Sequence, residues 1–279
     1  MALNSETEKY YVRPVGHKTS LLGFVTQKSG NAMRTLLALV AALLFVASPA
    51  DAVELRVLSG NGAKAAVREL CAQYERATGN TVDLHFEVNA DLKKKIEAGE
   101  VFDVAVLNPP VIDALINEGK LVTGSRADIG RSGLGVAVRK GAPKPDISSV
   151  EAFKHSLLAA KAVAYPGKGA SGLYFVSLLD RMGIRADMQG KLKPMAAEDT
   201  VEVVARGEAD MVVVVATRIS GVQGVDVVGP IPAELQTRIG FAAALSASAK
   251  EVEAAKALIR FLTAPAAAAT LRAKGVDPI

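Results

Sequence analysis

The spacing of apolar residues predicts an α/β protein of two lobes, each a mostly parallel sheet flanked by helices, with a ligand cleft between them. Three observations carry this. From Val53 onward, short apolar runs alternate with amphipathic stretches, the rhythm of βαβ units. Two runs, Phe102 to Leu107 and Met211 to Ala216, are apolar almost throughout, as strands covered on both faces must be. The rhythm then breaks at Arg131-Ser132-Gly133, with no internal repeat on either side, which marks a crossing between lobes.

Taken in chain order, Glu54 to Leu58 is a first strand, and Ser59-Gly60-Asn61-Gly62 turns it into a helix. Ala63, Ala66, Val67, Leu70, Tyr74 and Ala77 recur there at helical spacing, up to Thr78-Gly79-Asn80. Val82, Leu84, Phe86 and Val88 alternate with polar residues, a half-buried second strand. Asp91 to Ala98 is a short helix closed by Gly99, and Phe102 to Leu107 a third strand. Asn108-Pro109-Pro110 opens a helix to Gly119, because proline at a first helical position lacks only an N–H that would be unpaired anyway.

Leu134 to Val138 is a strand, followed by a proline-punctuated loop at Gly141 to Pro145. Ser148-Ser149-Val150-Glu151 has capping-box spacing and starts a helix to Ala160. Val163 to Tyr165 is a strand, Ser171 to Met182 a helix, and Asp199 to Ala205 another, ended by Arg206-Gly207. Met211 to Ala216 is the buried parallel strand. Val225 to Val228 and Ile239 to Leu245 are expected to return to the first lobe, and a helix from Glu251 to Leu262 and an alanine-rich one after Pro265 finish the chain. The expected lobes are 53–132 with 226–279, and 133–225.

Met33-Arg34-Thr35, the apolar run Leu36 to Ala47 and Ala50-Asp51-Ala52 have the basic flank, apolar core and A-x-A ending of a secretory leader cleaved after Ala52. Residues 1 to 32 are polar and aperiodic, so the natural start is expected at Met33. The apolar run falls short of the about 20 residues a spanning helix needs. Five basic and three acidic residues precede Val53, so a formal charge of +4 becomes +2 in the mature chain. A near-neutral chain whose one basic run is Lys93-Lys94-Lys95 is not expected to bind nucleic acid. A single cysteine, Cys71, allows no internal disulfide, so packing must supply the stability. A monomer is expected.

In open α/β sheets the binding crevice lies beyond the carboxyl ends of the strands. The loops there carry Ser59, Gly60, Asn61 and Gly62, then Asn89, then Asn108, then Lys168, Gly169, Ala170, Ser171 and Gly172, then Thr217 and Arg218. Small hydroxyl and amide residues at helix N-termini, beside free backbone N–H groups, make a cradle for an anion, and Gly60 and Gly62 let a ligand approach the backbone. The competing reading makes these residues ordinary N-caps and turn formers. Arg131 and Arg218 are candidates to neutralise a ligand's charge.

Catalytic and metal signatures are sparse. Beyond the leader only His85 and His155 remain, both expected at the surface, and Cys71 shares the buried side of a helix with Leu70. No spacing assembles a metal site, and Ser59 to Gly62 is neither a phosphate-binding P-loop nor a dinucleotide fingerprint. No cofactor is expected.

Several stretches together resemble the molybdate-binding family of type 2 periplasmic solute-binding proteins, which serve ABC importers. They are Val57 to Ala63, Lys95 to Gly99 leading into Phe102 to Val106, Gly124 to Arg126, Arg131 to Arg139, Ala205 to Asp210 and Gly229 to Glu234. The resemblance spans the mature chain and implies a two-lobed periplasmic-binding-protein fold, a small anionic ligand and a permease partner in the inner membrane. Ser59 falls at the first serine of that family's oxyanion cradle. The second loop reads Asn89-Ala90 where the family has serine, and Val215 stands at its tyrosine position. The same branch includes proteins resembling periplasmic aconitate isomerase, so capture of a molybdate-like oxyanion, capture of a small carboxylate and isomerisation of a small polycarboxylate all stay open.

Overall fold

The computed structural model describes residues 52–279. The expected leader lies outside the described residues, apart from Ala52. Among the described residues no single helix is long and apolar enough to cross a membrane.

The strands are β1 (Glu54–Gly60), β2 (Thr81–Glu87), β3 (Val104–Leu107), β4 (Ala127–Ser132), β5 (Leu134–Arg139), β6 (Val163–Pro166), β7 (Leu192–Met195), β8 (Met211–Val215), β9 (Val225–Pro230), β10 (Ile239–Leu245) and β11 (Asp277–Pro278). The α-helices are α1 (Lys64–Thr78), α2 (Asn89–Glu97), α3 (Pro109–Asn117), α4 (Val150–Ala159), α5 (Ala170–Arg181), α6 (Glu202–Ala205), α7 (Val252–Thr263) and α8 (Ala268–Ala273). They form two sheets, ordered β11-β4-β10-β3-β1-β2 and β7-β6-β8-β5-β9.

Both sheets are mixed rather than mostly parallel. The βαβ pairs β1–β2, β1–β3, β6–β7 and β6–β8 are parallel, whereas the strands that carry the chain between sheets, β4, β5, β9 and β10, pair antiparallel. Val225–Pro230, expected to return to the first lobe, instead pairs with β5 from Gly135↔Pro230 to Arg139↔Val225. The return to the first sheet therefore falls after Pro230. Asp199 to Ala205 divides into a 3-10 turn at Ala197–Asp199 and the short α6.

Period-two alternation divides the second sheet up to Val214, after which Val215 stays with the same core as Val214. Leu134, Val136, Val138, Met211 and Val213 pack with Phe153 and Leu157 of α4 and Phe175, Leu178 and Leu179 of α5. Ala137, Val212 and Val214 face the other way and join one continuous core with Leu55, Val57, Val67, Leu70 and the α7 residues Leu258 and Leu262. The remaining face of the first sheet packs Leu58, Ala105 and Leu107 on Leu92, Ile96, Ile112 and Leu115 of α2 and α3. Away from the cleft, the buried Asp103 carboxylate fastens this lobe: it accepts the Arg56 N–H at 2.9 Å and the Lys250 N–H at 3.0 Å, just before α7.

Candidate functional site

Four helices, α1, α2, α3 and α5, begin beside one hollow between the two sheets, and none has a side-chain cap. At α4, which starts elsewhere, Ser149 does cap, accepting the Ala152 N–H at 3.1 Å. The cap is one residue later than the expected Ser148, so the capping box does not form. First-turn N–H groups have no partner within a helix. At α2 and α5 this leaves the N–H groups of Asn89, Ala90, Ala170 and Ser171 as donors for an anion. By contrast, α3 opens with Pro109-Pro110, which carry no N–H, and its Val111 and Ile112 N–H groups donate to the Asn108 carbonyl. At α1 the Lys64 N–H donates to the Asn61 carbonyl.

The hollow has an inner cavity of about 50 Å³ and, sharing part of its lining, an outer one of about 710 Å³. From the first lobe the inner wall receives Asn61 and Gly62 before α1, Val88 and Asn89 at α2, Asn108 before α3, and Ile239 and Phe241 of β10. The second lobe supplies Pro166 at the end of β6, Lys168 to Ser171 at the start of α5, Ala197, Val214 and Val215 of β8, and Arg218. Asn61, Val88, Lys168 and Ala197 border both cavities.

Asn108 occupies the N-cap position of α3 yet does not cap it. Its Nδ2 donates to the Gly240 carbonyl at 2.7 Å, its Oδ1 accepts from Asn89 Nδ2, and its backbone N–H donates to Asn89 Oδ1 at 3.3 Å. An amide nitrogen has two donors, so Asn89 and Asn108 each keep one N–H beyond this network. A Cβ at position 60 would lie 2.8 Å from Asn89 Oδ1, so any larger residue there would displace the Asn89 amide. Glycine is needed at 172 because a Cβ would lie 1.7 Å from the Pro166 carbonyl oxygen, where α5 turns back over β6.

Charge in the inner cavity has one sign: Lys168 and Arg218 border it and no carboxylate does. The Arg218 guanidinium is fixed by a hydrogen bond to the Ala197 carbonyl. Lys168 is exposed and, among the described residues, has no hydrogen-bond or ion-pair partner. The outer cavity is mixed, with Lys64 lying 5.4 Å over the Phe86 ring, Glu87 paired to Lys95, and Asp91 and Glu198 beside them.

The structure thus gathers Asn61, Gly62, Asn89, Asn108, Lys168, Ala170 and Ser171 around one space. Four expected residues stand elsewhere. Ser59 is fully buried behind the cavity, its Oγ 3.3 Å from the Gly60 carbonyl, because β1 is an interior strand of its sheet. Gly60 lies with it, against Asn89. Thr217 is buried, its hydroxyl donating to the Gly62 carbonyl at 2.6 Å, so it ties the lobes together and leaves the cavity to its neighbour Arg218. Arg131 is exposed on β4, where the ladder sets it between Gly240 and Asp277. Residues that read as core, Val88, Val214, Val215, Ile239 and Phe241, line the inner wall. Their signal in the sequence is position at a strand end, joined at Val215 by the tyrosine position that the molybdate-binding resemblance implies.

His85 Nε2 sits 2.6 Å from Asp83 Oδ2 on the edge strand β2, and His155 is exposed on α4; neither borders the cavities. Among the described residues no group of three His, Cys, Asp or Glu side chains could hold a metal ion.

Comparison with known proteins places this geometry in context. An aconitate isomerase of a Pseudomonas species is 34% identical over 248 residues, covering 85% of this chain and 94% of the relative. The molybdate-binding protein ModA of Azotobacter vinelandii is 27% identical over 253 residues, covering 87% and 96%. The solved structure of the periplasmic molybdate-binding protein of Azotobacter vinelandii superposes with a TM-score of 0.68 at 19% identity, over 80% of this chain and 98% of that one, a likeness of fold. The family model for bacterial extracellular solute-binding proteins matches residues 55–277, nearly everything the structure describes. The chain belongs to the bacterial extracellular solute-binding protein family.

Proposed function

We propose that this protein binds a small organic anion, a di- or tricarboxylate, in the periplasm and presents it to an ABC permease of the inner membrane. The observation that carries the reading is the inner cavity: two cations, three asparagines and a serine from both lobes surround it, with no carboxylate. Hydrogen bonds to a charged group are about twice as strong as neutral ones, so such a lining selects anions. A carboxylate is favoured over a molybdate-like oxyanion on two grounds. Asn89 and Val215 stand where the molybdate-binding resemblance implies serine and tyrosine. Further, the outer cavity of about 710 Å³ offers room for more than a tetrahedral ion.

Thermal shift with molybdate, tungstate, sulfate, citrate and aconitate tests the reading. A polycarboxylate should raise the melting temperature most, and if none of the five moves it, the anion reading fails.

The 34% identity to an aconitate isomerase supports a second reading, isomerisation of a polycarboxylate in the same cleft. It would need a general base, for which Lys168 at both cavities and Glu198 at the outer one are the candidates. NMR of cis- or trans-aconitate incubated with the protein separates the two, since passive binding leaves the isomer ratio unchanged.

A further inference from the structure

Between the sheets the chain crosses at two places, and one side chain joins the crossings. β4 runs through Gly133 directly into β5. Its antiparallel neighbour is interrupted: Ser132 pairs with Ile239 and Gly135 with Pro230, the Ile231 N–H still reaches the Leu134 carbonyl at 3.2 Å, and residues 232–238 loop away. The Gln236 side chain fills the gap. Its Oε1 accepts the Leu134 N–H at 2.7 Å and its Nε2 donates to the Leu134 carbonyl at 2.9 Å, the two bonds a facing peptide would make. The Thr237 N–H also reaches the same Oε1, at 3.1 Å.

The surroundings are shaped to it. A Cβ at Gly133 would lie 2.9 Å from Gln236 Cδ, so the glycine leaves the space the amide fills. The looped segment is anchored to α5, whose Tyr174 hydroxyl donates to the Leu235 carbonyl at 2.9 Å. Gln236 does not border the inner or the outer cavity.

The geometry points to Gln236 as a clasp that fixes the angle between the lobes, a positioning residue that governs closure without touching ligand. Hinge bending requires a few residues at the crossings to absorb the rotation. With Leu134 pinned in both directions, rotation is confined to Gly133 on one side and to 237–238 on the other. Removing the clasp frees both crossings, widens the range of lobe angles and speeds ligand release.

The proposal does not depend on which ligand fills the cleft, and its test needs none. Spin labels at Lys94→Cys and Glu151→Cys, one on each lobe, report the distance distribution in the ligand-free protein. Gln236→Leu and Gly133→Ala, the second of which drives the amide out of its seat, should both broaden it, whereas Glu234→Ala on the exposed neighbouring turn should not. Unchanged widths in both clasp variants, or equal broadening with Glu234→Ala, overturn the proposal. If the variants do not fold, hydrogen exchange of the wild type decides: the Leu134 amide should be protected like the central β5 amides, and exchange as fast as an exposed loop refutes the clasp.

Discussion

Asn89 and Asn108 interlock across the floor of the cleft: the side chain of Asn89 donates to Asn108 Oδ1, and the Asn108 backbone N–H donates back to Asn89 Oδ1 at 3.3 Å. Two loops from different strand ends are thereby set as one surface, with spare amide donors beside uncapped helices.

Replacing Asn108 should therefore cost both fold and function. Asn108→Ala removes the side-chain bonds to Asn89 and Gly240, leaving the backbone N–H bond to Asn89 Oδ1, and should lower stability by about 1–2 kcal/mol in urea unfolding. Asn108→Asp should cost a similar amount, and by adding a negative charge it should abolish carboxylate binding in calorimetry. Equal carboxylate affinity in Asn108→Asp and wild type would place the anion elsewhere.

The two cations should differ in weight. Arg218 is partly buried and held by Ala197, so Arg218→Met should weaken carboxylate binding by about 1.5–3 kcal/mol, roughly ten- to a hundredfold. Lys168 is exposed, so Lys168→Met should cost at most about 1 kcal/mol, an effect that shrinks as salt rises. Titrations at low and high salt check the ordering.

Thr217→Val tests whether that residue is structural. Loss of its bond to the Gly62 carbonyl should lower stability by about 1–2 kcal/mol and leave anion affinity nearly unchanged. The opposite pattern, lost affinity at full stability, would return Thr217 to the binding surface.

Cys71 carries a pH signature. Burial, reinforced by the negative charge of Glu75, raises its pKa from 9.0 to about 12. The folded thiol stays neutral where the unfolded one ionises, so unfolding releases a proton between these values. This group should leave stability untouched below about pH 9 and lower it by up to about 1.4 kcal/mol per pH unit from there to about pH 12. The thiol should accordingly resist Ellman's reagent at pH 8 until the protein is denatured.

Much of this architecture is legible in the sequence, and the exceptions have causes. Strong runs such as Val104–Leu107 and Met211–Val215 announce themselves, since both faces are covered. β4 is not anticipated because Ala-Asp-Ile-Gly-Arg-Ser shows neither alternation nor an apolar run. β7 is hidden by Pro194, which a sheet tolerates there because β7 is an edge strand. The placement of β9 rests on pairing with β5 across more than eighty residues, which no local pattern encodes. In the cleft, loop position identifies Asn61, Asn89, Asn108 and Ser171. It cannot tell Thr217 from Arg218, because a single 3-10 turn at Ala216–Arg218 sends one inward to Gly62 and the other to the cavity.

The most direct measurement is a titration of the ¹⁵N-labelled protein with citrate, trans-aconitate and molybdate, following the side-chain amides of Asn61, Asn89 and Asn108 by NMR. A polycarboxylate should shift all three together and saturably, with backbone amides at the start of α5 moving in step. Saturable binding that leaves these amides unmoved, or binding of molybdate alone, would contradict a carboxylate held between the lobes.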